Sequence, residues 1–253
     1  MSTVELAHDV QGDGEPLLLI HAGVCDRRMW EPQWRALTER FTAIRCDLRG
    51  FGETPLPAEP FNPADDVVAL LDQLGLERVS VIAASFGGRV ALELAATWPQ
   101  RVEQLVLLCG EWEDVERDPE LESFGEEEDR LLSEGDIDGA TELNVQTWVG
   151  PEASDEVRSL VRTMQRHAFE VQLAAGDDAE FKPREVDPAA IEASTLLVSG
   201  GRDFAHFREV AAELEARIPE AERVELDWAQ HLPSLERPRR VTRLLLHRVA
   251  GST

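Results

Sequence analysis

The sequence predicts an α/β fold: a mostly parallel central sheet flanked by helices, with a small helical insertion between two sheet strands. Three observations carry that expectation. Short apolar, β-branched runs alternate with helix-like stretches up to about residue 110, the pattern of a parallel sheet covered on both faces. The alternation stops at 111 and resumes at Thr195, which sets a segment of different character inside the sheet. The run Val79-Ser80-Val81-Ile82-Ala83-Ala84 passes through Ser85 into a helix-like stretch, Arg89 to Trp98, so strand, sharp turn and helix follow with a serine at the apex.

In order, Val4 to Val10 alternates weakly and reads as a strand, and Gln11 to Pro16 as a turn. Leu17 to Ile20 is a short buried strand. With only one strand-like run before it, the N-terminal hairpin is short. Met29 to Arg40 reads as a helix, Phe41 to Cys46 as a strand, and Asp47 to Gly52 as a glycine-punctuated loop. Pro57 to Pro63 is a proline-rich connection. Asp65 to Leu74 is an amphipathic helix stopped by Gly75. Val102 to Leu108 is a further buried strand.

Glu111 to Arg130 is strongly acidic and has no long apolar run. Asp136 to Trp148 and Ser154 to Leu173 read as helices, the second with Val157, Leu160, Val161, Met164, Ala168 and Val171 on one stripe. Gly176 to Pro188 is polar and loop-like. The strand at Thr195 to Val198, the helix at Phe207 to Ile218, the strand at Arg223 to Leu226 and the helix at Pro238 to Val249 complete the sheet pattern. The expected division is a core of 1–110 and 187–253 with a helical lid of 111–186.

Composition narrows the function. The 253 residues suit one domain with room for an inserted piece. A net charge of −25 argues against nucleic acid and anionic membrane surfaces as partners. No apolar run reaches the roughly 20 residues that span a bilayer. The N-terminus has neither a basic region nor an apolar core, so the expectation is a soluble, cytoplasmic protein. Lys182 is the only lysine, which reads as a GC-rich genome. Cys25, Cys46 and Cys109 lack metal spacing and flank apolar runs, so buried thiols are expected; Cys25 lies closest in sequence to the candidate site. Nothing in the sequence implies a metal or an organic cofactor.

Ser85 has small residues two positions either side, Ala83 and Gly87, as a strained nucleophile turn requires. The helix behind it points free N–H groups at the serine, which suits a developing anion. A serine nucleophile needs a base, and the base needs an orienting acid. Asp203 and His231, like Ser85, sit just past predicted strands, where an open α/β sheet gathers its functional groups. Asp203 also suits a turn aspartate, and His231 an ordinary loop histidine. Glu111 is the alternative acid and His206 the alternative base. Phe86, directly after the serine, offers one N–H to an oxyanion. His21 reads as a structural histidine, and Asp47, Arg49 and Gly50 as residues that fix their loop. Trp112, Trp148, Met164, His167 and Phe169 suit either pocket lining from the insertion or plain packing.

These features together resemble the α/β-hydrolase superfamily over about 4–110 and 190–250. The carrying motifs are Leu-Leu-Leu-Ile-His-Ala-Gly at 17–23, Asp-Leu-Arg-Gly-Phe-Gly at 47–52 and the Ser85 elbow. Leu-Leu-Val-Ser-Gly-Gly-Arg-Asp at 196–203 and His-Leu-Pro-Ser-Leu-Glu-Arg-Pro at 231–238 complete them. The order Ser, Asp, His matches that family. Small esterases, enol-lactonases and cofactor-free haloperoxidase-like members are the nearest type. Ala22 and Ala83 stand where the family has glycine. The resemblance implies hydrolysis of a small carboxylic ester or lactone through an acyl-enzyme, with Gly23, or alternatively Val24, completing the oxyanion hole and Val24 lining the pocket. Perhydrolysis, carbon–carbon bond hydrolysis and a non-catalytic ligand-binding role stay open. The sequence leaves the oligomeric state unspecified.

Overall fold

The structure, a computed structural model, describes residues 3–176 and 178–250. The parts of the N-terminal reading on Met1 and Ser2, and of the 176–188 loop on Asp177, lie outside the described residues. Seven strands form one sheet in the order β1-β3-β2-β4-β5-β6-β7. They are β1 His8–Gln11, β2 Glu15–Ile20, β3 Phe41–Cys46, β4 Val79–Ala84, β5 Val102–Leu108, β6 Ser194–Gly200 and β7 Ala221–Leu226. Only β1 runs antiparallel, against β3; the other pairs are parallel. Because side chains alternate along a strand, each face owns half of β2 and β4. Leu18, Ile20, Val81 and Ala83 pack into one core, and Leu17, Leu19, Ile82 and Ala84 into the other.

Helices α1 Glu31–Thr38, α2 Pro63–Gln73, α3 Phe86–Thr97, α7 Ala205–Arg217 and α9 Pro238–Val249 belong to the sheet layers. Asn62 caps α2 by accepting from Ala64 and Asp65 N–H, with Pro63 at the first helical position, where a missing N–H does no harm. Between β5 and β6 come α4 Pro119–Ser133, α5 Ile137–Trp148 and α6 Asp155–Ala175. A short helix, α8 Pro233–Glu236, follows His231. Among the described residues no helix is long and apolar enough to cross a membrane.

One strand boundary needs correction, and two helices left no signal in the sequence. The first strand is His8–Gln11, not Val4 to Val10, because the preceding residues bond to side chains instead of a ladder: Val4 N–H donates to Asp66 and Ala7 N–H to Thr54. The acidic stretch holds a 15-residue helix. Asp118 caps it by accepting from Glu120 and Leu121 N–H, Pro119 opens it, and Arg130 bridges Glu127 and Glu134. A single buried leucine, Leu121, gave too weak an apolar signal to show it in the sequence. The other helix is α8, too short to leave a periodic signature.

Candidate active site

Ser85 sits between the last residue of β4 and the first of α3, with φ +48°, a left-handed backbone that side-chain-bearing residues rarely adopt. The surroundings hold it there. Its N–H donates to Leu108 O at 3.0 Å, and its carbonyl accepts from Gly88 N–H at 2.7 Å and Glu111 N–H at 3.2 Å. Gly87 has no room for a Cβ, which would collide with the His21 carbonyl and the Ile20 side chain. The elbow and the loop after β2 are therefore pressed together. Ala83 is fully buried in the core, where its methyl is accommodated.

The three side chains expected to converge do so. Ser85 Oγ lies 2.7 Å from His231 Nε2, and His231 Nδ1 lies 2.7 Å from Asp203 Oδ2. Asp203 Oδ1 accepts from Phe204 N–H at 2.9 Å, so both carboxylate oxygens are occupied. A carboxylate that accepts from Nδ1–H leaves Nε2 as the lone-pair nitrogen facing the serine hydroxyl. His231 packs against two aromatic rings that also touch each other, Trp148 from α5 at 4.5 Å and Phe207 from α7 at 4.3 Å. Those tilted rings limit its rotation.

Close loop packing sets this geometry. A Cβ on Gly200 would strike the carbonyls of Ala229 and Gln230, so glycine lets the Asp203 turn approach the His231 loop. Glu236 accepts from Gln230 N–H at 2.8 Å, and Gln230 donates onward to the Thr147 carbonyl, which ties the His231 loop to α5. Burial holds the Glu236 carboxyl above its ordinary range. The sequence reading missed Glu236, although it lies five residues after the histidine.

His21 is structural, as expected. Its Nδ1–H donates to Ala22 O at 2.8 Å, its Nε2 accepts from Leu48 N–H at 2.9 Å, and burial lowers its basicity. Asp47 accepts from Arg27 and Glu53 N–H, and Arg49 is clasped by Asp66, so these residues fix loops. The N–H groups of Gly23 and Val24 have no protein acceptor among the described residues. Both residues line the same cavity as Ser85 and Phe86.

That cavity has a volume of about 520 Å³. Trp148 and Phe169 line it, and the structure adds Phe124, Asn144, Gln165 and Phe207. Three expected lining residues lie elsewhere. Trp112 is buried in the core beside α7, with Arg217 stacked on its ring at 4.9 Å. Met164 is buried with Val145 and Val161 in the other core. His167 is exposed and meets the Gly52 carbonyl at 2.8 Å beside a separate polar cavity. The cavity stripe of α6 is Gln165, Phe169 and Gln172, spaced i, i+4, i+7; it is mostly polar and runs beside the apolar stripe, so the sequence pattern does not single it out.

The alternatives resolve as geometry. His206 lines the cavity, but its Nδ1 lies 3.1 Å from the Glu116 carbonyl and it is not bonded to Ser85. Glu111 also lines the cavity and pairs with Arg117 at 3.4 Å. Cys109, not Cys25, is the thiol beside the site: its sulfur, an Asp203 oxygen and a His231 nitrogen lie within 4.8 Å of one another. Burial and the neighbouring Asp203 push its thiol well up. The trio does not fit a metal. Asp203 and His231 already bond each other, and a thiol so hard to ionise is a poor ligand.

Residues 17–244 match the model of the alpha/beta hydrolase family. A relative named "Putative carbamate hydrolase RutD", from Caulobacter segnis, is 28% identical over 244 residues, 86% of this chain and 85% of the relative. The solved structure of a hydrolase from Pseudomonas aeruginosa PA01 is 28% identical, with a TM-score of 0.80 over 97% of this chain and 94% of its own. A thermophilic esterase from Thermogutta terrifontis is 29% identical, with a TM-score of 0.76 over 95% and 91%. With the sheet order, the elbow and the family match in agreement, the chain belongs to the alpha/beta hydrolase family.

Proposed function

We propose that the protein is a serine hydrolase that cleaves a small carboxylic ester or lactone through an acyl-enzyme. The observation that carries this reading is the continuous relay Ser85–His231–Asp203, which opens into a cavity large enough for a small substrate. Ser85 Oγ attacks the carbonyl carbon as His231 Nε2 takes its proton. Asp203 holds the imidazole tautomer and stabilises the imidazolium. The N–H groups of Phe86 and Gly23, with Val24 the alternative partner, receive the oxyanion. His231 returns the proton to the leaving oxygen. It then activates a water, whose attack on the acyl carbon releases the acid and restores Ser85. The steps use only this chain's groups and water. Residues 111–186 act as a lid over a core of 1–110 and 187–253.

The similarity to a thermophilic esterase supports this reading. The likeness to a relative named as a carbamate hydrolase favours a second one, in which the same attack falls on a carbamate carbonyl. The test is a panel of aryl esters, alkyl esters, lactones and carbamates of equal size, run on wild type and on Ser85→Ala. Turnover of at least one class that Ser85→Ala abolishes is expected. Absence of turnover throughout, or turnover that survives in Ser85→Ala, overturns the proposal. Labelling of wild type by a fluorophosphonate separates an activated serine from a binding protein that only keeps the fold.

A further inference from the structure

The cavity wall facing the sheet is built from α4, α5 and α6, and it carries polar groups that the described residues leave unpartnered or only partly satisfied. Gln165 is 4% exposed, lines the cavity, and its side chain makes no hydrogen bond among the described residues; its Oε1 is buried and unpartnered. A buried amide with nothing to bond is unfavourable unless a ligand completes it. Glu128, on α4, lines the same cavity. Its one partner among the described residues is Asn144, whose Nδ2 donates to Glu128 Oε1 at 2.5 Å. No cation pairs with it among the described residues, and burial pushes its carboxyl up.

Asn144 is fully committed. Its Nδ2 also donates to Ala140 O at 2.9 Å, and its Oδ1 accepts from Trp148 Nε1 at 3.0 Å. Those partners fix which end of the amide faces Glu128. Trp148 in turn packs on His231, so a short chain of contacts runs from the base through Trp148 and Asn144 to the Glu128 carboxyl. The carboxyl is thus held at a set place relative to the reacting bond. Arg49 and Arg117, which also line the cavity, are engaged by Asp66 and Glu111. The spare hydrogen-bonding capacity of the buried groups on this wall therefore centres on the Glu128 carboxyl and the Gln165 amide.

We propose that this wall is a specificity subsite for a protonated amine carried by the substrate, with Glu128 as its anion and the Gln165 amide, turned about its last bond so that its oxygen faces the cavity, as a second acceptor. The proposal rests on the serine hydrolase reading and names the substrate class for it. An ammonium brings three donors and one positive charge. It would satisfy the free amide oxygen and supply the cation that Glu128 lacks. An anionic substrate group would meet an uncompensated carboxyl instead.

The test uses two isosteric pairs: aryl esters of ω-aminohexanoic and heptanoic acids, and acetate esters of ω-aminohexanol and heptanol. The readout is the ratio of kcat/KM for the aminated over the plain member, which cancels any general loss of activity in a variant. In wild type the ratio is expected to exceed about ten in at least one pair. Glu128→Gln, which keeps the shape and removes the charge, should bring that ratio near one, and Gln165→Leu should lower it severalfold. No preference in either pair, or a preference that Glu128→Gln leaves intact, overturns the proposal. If no ester of any kind turns over, the hydrolase reading fails, and calorimetry on the Ser85→Ala protein reads the subsite separately. Tighter binding of hexylammonium than of hexanol, lost on adding Glu128→Gln, supports the subsite; equal binding overturns it.

Discussion

At the sheet edge of the cavity, Ser85 Oγ, both ring nitrogens of His231 and both carboxylate oxygens of Asp203 have partners. On the helical wall opposite, among the described residues, the Gln165 side chain has none and Glu128 has only Asn144. The difference separates two tasks. Groups that must already be oriented when the reaction begins are satisfied by the protein itself, so no reorganisation is needed at that moment. Groups that recognise a variable part of a ligand are left with spare hydrogen-bonding capacity, at some loss of stability to the empty protein. The two regions meet at Trp148, whose ring packs on His231 at 4.5 Å and whose indole N–H donates to Asn144.

The widest separation between the regions comes from Ser85→Ala. It should lower kcat/KM for any ester substrate by at least about a thousandfold with the melting temperature almost unchanged, because the relay acts as a unit. Next comes Gly87→Ala, which drives a methyl into the His21 carbonyl and Ile20. Overpacking of this kind costs about 1–3 kcal/mol of stability, measurable by urea unfolding, and should displace the Gly23 loop from the elbow. Trp148→Leu tests the meeting point. If Trp148 positions the base, kcat for a short acetate ester falls about tenfold with little change in KM, and Trp148→Phe restores most of it. A general packing defect would not be rescued in that way.

The smallest effect lies on the helical wall and has a sign set by burial. Burial raises the Glu128 carboxyl in the folded state, so between its unfolded and folded pKa values the folded protein holds more protons and stability falls as pH rises. Glu128→Gln removes that penalty. The variant should be more stable than wild type at neutral pH, by on the order of 1 kcal/mol. The gain should vanish below the ordinary glutamate pKa, where the wild-type carboxyl is protonated in both states. Urea unfolding at neutral pH and near pH 3.5 checks both halves. With the loss of amine preference, the pair would mark Glu128 as a residue kept for binding at the expense of stability.

The same contrast explains what the sequence could disclose. Ser85, Asp203 and His231 were legible because each follows a strand, and strand ends on one edge of a parallel sheet converge whatever the intervening chain does. The sheet helices were legible from period and from stops such as Gly75. The helical wall was not. Its cavity face is set by how α4, α5 and α6 pack on one another, and the residues that matter there are polar. Gln165, Phe169 and Gln172 form a stripe beside the apolar one that buries Met164, and only the packed helices distinguish them. Trp112 shows the converse: a large aromatic near the insertion's start that packs into the sheet core instead. Leu121 and Phe124 were too few to show a helix among eleven acids between 111 and 129.

The central claim is that Ser85, activated by His231, becomes acylated. The most direct measurement is intact-protein and peptide mass spectrometry after rapid mixing with a slowly deacylating aryl ester. The expected result is an added acyl mass on the peptide that carries Ser85, decaying at the turnover rate, missing in Ser85→Ala and formed far more slowly in His231→Ala. Steady turnover with the acyl mass on another residue, or turnover of the same ester by Ser85→Ala within about tenfold of wild type, would contradict it.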